Sequence, residues 1–229
     1  MKVYEVGGSI RDSFLGIKNN DIDAAVECDS FEELCDWVAS THKQVFLITP
    51  EHLTVRAIDN NNTVRDYVMC RVEGPYSDGR RPDWVKPGTI FDDLARRDFT
   101  VNAIARSIPD GTILDPHGGQ KDLQDRVLRC VGEPIDRFTE DGLRIIRALR
   151  FAITKQLVIA NKEWEIIRSQ HASTLLDGVS AERIRAELAK CFKHDTIRSM
   201  EAFTCLHPTT QKRIFNDSDI WLLPTQKAR

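Results

Sequence analysis

The chain has 229 residues, with 32 Lys and Arg against 35 Asp and Glu, a formal net charge of −3. That length gives one large domain or two small ones, and 41% hydrophobic residues suffice for a core. No global polycation announces nucleic acid, so any RNA contact rests on local basic patches. The six cysteines form no CxxC pair, and Cys28, Cys35, Cys70 and Cys191 sit among apolar neighbours. This pattern excludes a disulfide scaffold and points to a reducing compartment. The opening MKVYEVGG is too short in apolar residues for a signal peptide, and no run reaches transmembrane length. The expectation is a cytoplasmic protein with no membrane partner.

The first element is an apolar run, Val3 to Val6, feeding a Gly-Gly turn and a short helix pattern that carries Arg11 and Asp12. A second strand returns through Asp21 and Asp23. Side chains two apart on a strand share a face, so these carboxylates stand side by side. They repel unless a cation lies between them, and hard oxygen donors without His or Cys favour Mg²⁺ over zinc. The glycines let backbone N–H groups approach a phosphate, and Arg11 adds a fork suited to its oxygens. A phosphate cradle beside metal carboxylates reads as nucleotidyl transfer. Singly, a Gly-Gly is mostly a turn and a DxD mostly a solvated strand end; joined at this spacing they are far more specific. GGxxRDxxLG followed by DxD resembles the nucleotide-binding signature of class II tRNA nucleotidyltransferases, the CCA-adding enzymes with their A-adding and bacterial poly(A) polymerase relatives.

Ser30 and Glu33 form a capping box that opens a helix through Phe31, Leu34, Cys35 and Val38. Strands are predicted over 45–48, 53–58 and 63–72, the last two a hairpin across Asn60-Asn61-Asn62. Asp66 shares its side of the last strand with Val64, Val68 and Val72. A charge on a mostly apolar face wants a partner, and a metal shared with Asp21 and Asp23 would supply one. In the resemblance Asp66 falls where the family has a third acidic residue. The stretch 73–88 is a long loop carrying Arg80 and Arg81, of a length that is usually functional or mobile. The family uses a loop here in nucleotide choice, and its presence leans toward an enzyme that can add A.

DDLARRDFTVNAI (92–104) resembles the family's second motif. Arg96 and Arg97 are adjacent and point apart. Arg97 aligns with the triphosphate-binding arginine, Asp98 anchors backbone or an arginine, and Asp92 and Asp93 fit a helix start. A strand at 113–114, a helix opening at Asp122-Leu123 and a strand over 127–131 are architecture, with His117 a turn residue.

From Glu133 the pattern is helical. Asp141, Arg144, Arg147 and Arg150 recur every third residue as a polar stripe, with Ile145, Ile146, Leu149 and Ala152 on the buried side. EDxxR resembles the family's nucleotide-selecting motif. Asp141 only accepts hydrogen bonds and suits the exocyclic amino group of C or A; Arg144 only donates and suits the adjacent ring acceptor. G and U would meet Asp141 acceptor to acceptor, and unpaired buried groups discriminate strongly. Helices follow over 162–169, 179–192 and 200–206; VSAERIRAELAKCF in the second resembles the family's last shared motif, which implies that it braces the striped helix.

The resemblance spans about 1–192. It implies an α+β fold, with a nucleotidyltransferase head (1–132, a mixed sheet with helices on one side). An all-α neck follows (133–205), then a body or tail remnant (206–229), since family members continue through body and tail domains. The implied activity adds CMP or AMP from CTP or ATP to the tRNA 3′ end. Asp21 and Asp23 hold Mg²⁺ with Asp66 assisting, and Gly8, Arg11 and Arg97 grip the triphosphate. Asp141 and Arg144 select the base, with Arg147 and Arg150 near phosphate or sugar. Rival readings are an A-adding enzyme or poly(A) polymerase, a catalytically decayed nucleotide- or RNA-binding module, and nucleotidylation of a small molecule or protein.

Overall fold

The computed structural model describes residues 1–19, 22–79 and 81–217. The chain divides into two compact units. One comprises Met1–Pro75, Pro82–Asp125 and Arg129–Gly132; the other comprises Tyr76–Arg81, Arg126–Leu128 and Glu133–Arg229.

The first unit opens with β1 (Lys2–Val6), α1 (Gly8–Phe14), β2 (Ile22–Glu27) and α2 (Phe31–Thr41). Ser30 caps α2 by accepting from the Glu33 N–H at 3.1 Å, and the Glu33 carboxylate reaches back to the Asp29 N–H at 2.8 Å. Next come β3 (Gln44–Thr49), β4 (Thr54–Ile58) and β5 (Val64–Met69). The Asn60–Asn62 turn works as predicted, with Asn62 at a φ of +61°. The predicted strand over 63–72 breaks at Cys70. Its far end is a separate strand, β6 (Arg71–Glu73), which pairs with β7 (Val85–Pro87) and turns part of the predicted loop into a hairpin. The unit continues with α3 (Ile90–Ala95), β8 (Ala105–Ser107), β9 (Ile113–Leu114) and α4 (Gly119–Gln124), which starts three residues before Asp122.

Among the described residues, seven strands form one sheet in the order β3-β4-β5-β2-β1-β8-β9. Every pairing is antiparallel except β2 with β5, so the sheet is mixed. Alternation splits the core between its faces. Ala24 and Val26 join Leu34 and Val38 of α2 on one face, while Ala25 joins Ile90 and Leu94 of α3 on the other. Helical cover at β2 is thus two-sided.

The second unit holds β10 (Val127–Leu128), α5 (Pro134–Glu140), α6 (Leu143–Lys155), β11 (Val158–Ile159), α7 (Asn161–Arg168), α8 (His171–Leu175), α9 (Ala181–His194), α10 (Thr196–Thr204) and α11 (Pro208–Phe215). β10 and β11 form a parallel two-residue ladder. Ile145, Ile146 and Leu149 of α6 are fully buried, and Ile184, Leu188 and Cys191 of α9 are equally enclosed. Burial pushes the Cys191 thiol up to about 12, as befits an inert core residue. α11 lies within the stretch 206–229 expected as a body or tail remnant; 218–229 lie outside the described residues.

Asp141 and Gly142 interrupt the helical run between α5 and α6. A methyl group on Gly142 would stand 1.8 Å from the Leu175 carbonyl oxygen, a backbone atom with nowhere to move. Gly142→Ala should therefore cost about 3 kcal/mol of stability, seen as a lowered midpoint in thermal unfolding followed by circular dichroism.

Candidate active site

β1 delivers the chain to Gly7, whose φ of +77° is left-handed backbone that favours glycine. A methyl group added at Gly7 would stand 3.2 Å from Arg97 Nη1, and one at Gly8 3.4 Å from Arg11 Nη2. The turn is bare because two guanidiniums lie against it. Arg11 is 7% exposed. Its Nε donates to Asp12 Oδ1 at 2.8 Å and its Nη1 to Asn102 Oδ1 at 2.6 Å. Asn19 donates to the other Asp12 oxygen at 2.9 Å. The Asn102 amide donates to Asp98 Oδ1 at 2.9 Å, and its backbone carbonyl accepts from Arg97 Nη1 at 3.2 Å. Asn102 therefore ties together the two arginines predicted to grip a triphosphate. Asp98 also accepts the Phe99 N–H at 2.8 Å, the anchoring part expected of it.

Arg96 and Arg97 meet on one carboxylate and otherwise part, Arg96 toward Glu73 at 3.0 Å and Arg97 toward the Asn102 carbonyl. Both fold back over the last turn of α3, Arg96 to Asp93 Oδ1 at 2.5 Å and Arg97 to Asp93 Oδ2 at 2.8 Å. Asp92 completes a capping box with Thr89, as a helix-start acid should, but Asp93 is buried beneath the arginines. Burial pushes the Asp93 carboxyl up, yet the Arg97 and Arg96 charges outweigh it and hold it below the usual carboxylate range.

The acidic side of the site is set by strand register. Val6, one residue before Gly7, pairs with Asp23, and Asp23 pairs with Asp66 across the parallel β2–β5 ladder. Strand spacing puts those two backbones about 4.8 Å apart. Asp21 lies outside the described residues. Asp23, Asp66, Arg56, Asn62 and Thr63 line an open cavity of about 690 Å³. The partner that Asp66 wants is present without a metal: Arg56, its register partner on β4, donates Nε to Oδ1 at 2.5 Å and Nη2 to Oδ2 at 2.6 Å. Val72 no longer shares its strand. The donor chemistry fits a hard divalent ion, since carboxylates on adjacent strands converge with no nitrogen or sulfur ligand among the cavity's side chains. Among the described residues, no three His, Cys, Asp or Glu side chains group as a complete metal shell.

In the second unit the stripe is shorter than predicted. Asp141 has extended backbone in the α5–α6 joint, off the helix, and only Arg144, Arg147 and Arg150 follow the α6 surface. Arg183 of α9 holds the Asp141 carboxylate with two bonds of 3.2 and 2.6 Å. Arg144 is 8% exposed and donates to Glu140 at 2.6 Å and to the Arg137 carbonyl at 3.1 Å. Arg150 pairs with Glu187 and stacks over Phe151 with a 4.0 Å cation–ring distance. Arg147 lies 5.5 Å from the same ring. Glu187 also takes Lys190 at 2.8 Å. Burial raises its carboxyl, but Lys190, Arg150 and Arg147 together hold it below its ordinary value. The α9 bracing of α6 is thus electrostatic as well as apolar. Sequence reasoning missed Asn102, Arg56, Arg183 and Glu187 as partners of the site residues.

A mixed sheet with an arginine-backed Gly-Gly turn and carboxylates on neighbouring strands is the architecture of a nucleotidyltransferase head. The chain belongs to the class II tRNA nucleotidyltransferase family: the poly A polymerase head domain model matches residues 3–129. It is 40% identical over 192 residues to a CCA-adding enzyme of Lactococcus lactis subsp. cremoris, covering 82% of this chain and 46% of that one. It is similar to the Bacillus stearothermophilus CCA-adding enzyme solved with CTP, at a TM-score of 0.76 and 28% identity, covering 95% of this chain and 51% of that one. The Thermotoga maritima CCA-adding enzyme solved with tRNA gives a TM-score of 0.74 at 28% identity over 93% of this chain and 48% of that one. The chain spans about half the length of the curated relatives it matches.

Proposed function

We propose that this protein is a template-independent RNA nucleotidyltransferase that adds CMP and AMP from CTP and ATP to the 3′ end of tRNA. We assign 1–132 to the head, 133–205 to the neck and 206–229, with α11, to a body or tail remnant. The observation that supports the reading best is the register that sets Asp23 beside Asp66, one residue across from the arginine-backed Gly-Gly turn. Relatives solved with CTP and with tRNA support the substrate class.

Gly8, Arg11 and Arg97 hold the triphosphate, with Arg97 the more accessible of the two arginines. Arg11 fixes the turn, because Asp12 and Asn102 engage its fork. Asp21 and Asp23, with Asp66 assisting, would hold Mg²⁺. Bound divalent ions would lower the pKa of the attacking 3′-hydroxyl and neutralise the leaving pyrophosphate. Asp141 accepts from the exocyclic amino group of C or A, and Arg144 donates to the ring acceptor beside it. Arg147 and Arg150 contribute positive charge toward phosphate or sugar.

The test is incubation of the full chain with labelled CTP or ATP and tRNAs that lack the terminal CCA, lack only the final A, or are complete, with products sized on a gel. Two C residues followed by one A support CCA addition. A-only addition makes it an A-adding enzyme, long A tails a poly(A) polymerase, and no pyrophosphate release with any tRNA a binding module.

A further inference from the structure

We propose that Arg56 is a built-in counter-cation that holds Asp66 and competes with the divalent ion for it, so that this side chain sets the ion affinity of the site. The inference rests on the carboxylate reading above. Arg56 and Asp66 are cross-strand register partners on β4 and β5, and Asp66 is also the register partner of Asp23 on β2. The guanidinium therefore sits on the far side of Asp66 from Asp23.

Its fork engages both Asp66 oxygens, at 2.5 and 2.6 Å. A carboxylate held bidentately by arginine is fixed in orientation, and its oxygens share their charge with the N–H donors. An incoming divalent ion must either displace one of those bonds or share an oxygen already committed to an N–H donor, and it must also approach a positive charge within the same cavity. Both effects weaken binding. The Arg56 side chain is 43% exposed, whereas that of Asp66 is 23% exposed. Arg56 thus has room to swing off while Asp66 stays in place. When it does, the displaced guanidinium stays at the cavity wall, where the phosphates of a bound nucleotide or RNA end could take it. Loading of the ion would then be favoured by the arrival of substrate anions.

The experiment titrates the full chain with Mn²⁺ alone, following loss of the free-ion electron paramagnetic resonance signal. Arg56→Ala should bind Mn²⁺ about three- to tenfold more tightly than the parent, the range set by a half-exposed bidentate pair. Arg56→Lys, which keeps the charge and loses the fork, should fall between them. The gain should vanish in Arg56→Ala/Asp66→Asn compared with Asp66→Asn alone. Unchanged or weaker binding in Arg56→Ala overturns the proposal, as does an equal gain in the Asp66→Asn background, which would mark a diffuse field effect. Asp23→Asn must weaken binding in the parent. If it does not, the carboxylate reading itself fails, an outcome distinct from failure of the Arg56 effect alone. Melting temperatures of all forms exclude unfolding as the cause.

Discussion

Asp23→Ala should reduce nucleotide incorporation by at least about 10³-fold, while the circular dichroism spectrum and melting temperature stay at parental values. The size follows from the task given to this carboxylate: removing an ion-holding group withdraws several kcal/mol of charge stabilisation, and each 1.36 kcal/mol is a factor of ten in rate. The neutrality of the fold follows from position. Asp23 is exposed at the start of β2, and the buried residues of that strand are Ala24, Ala25 and Val26. The measurement is single-turnover incorporation of labelled CMP. Incorporation within tenfold of the parent would remove Asp23 from the chemistry.

Asp93→Ala should act in the opposite order, on stability first. Asp93 is 2% exposed and carries Arg96 on one oxygen and Arg97 on the other. Removing one member of a buried ionic group leaves charges uncompensated, typically 3–5 kcal/mol. Here Arg96 and Arg97 keep 24% and 20% side-chain exposure and can turn partly to water, so about 3 kcal/mol is expected. Arg97 also loses the seat that aims it at Gly7, so the KM for nucleotide should rise more than kcat falls. The pH dependence has a definite sign. The folded carboxyl titrates below its ordinary value of 3.8. Its contribution is therefore present above pH 3.8 and is lost as pH falls through the lower folded value. Asp93→Asn should flatten that acid limb of the unfolding midpoint, and an acid limb identical to the parent's would refute the assignment.

Local chemistry made much of this molecule legible. The Gly-Gly turn, the Ser30–Glu33 cap and the Asn60–Asn62 turn are set by residues a few positions apart, and the structure follows them. The Arg56–Asp66 pair was also within reach. A hairpin centred on Asn61 pairs Ile58 with Val64, and the same register carries Arg56 opposite Asp66. What stayed hidden depends on distant chain. Asn102 meets Arg11 across 91 positions, and Arg183 meets Asp141 across 42. No periodicity encodes such pairs. The stripe from Asp141 to Arg150 is shorter than its spacing suggests because i,i+3 recurrence cannot reveal that Asp141 is extended, next to a glycine that packs against the Leu175 backbone.

The lone parallel ladder of the sheet bears on how the chain assembles. β3, β4 and β5 join by short hairpins and can zip locally, whereas β2 meets β5 only after the intervening helix and hairpins have closed a long crossover. Asp23 and Asp66 are therefore brought side by side late. The repulsion between them falls on the closing of that ladder and not on the local hairpins, so the hairpins form without it, and the joining of β2 to β5 is the step that ionic strength or a multivalent cation should speed.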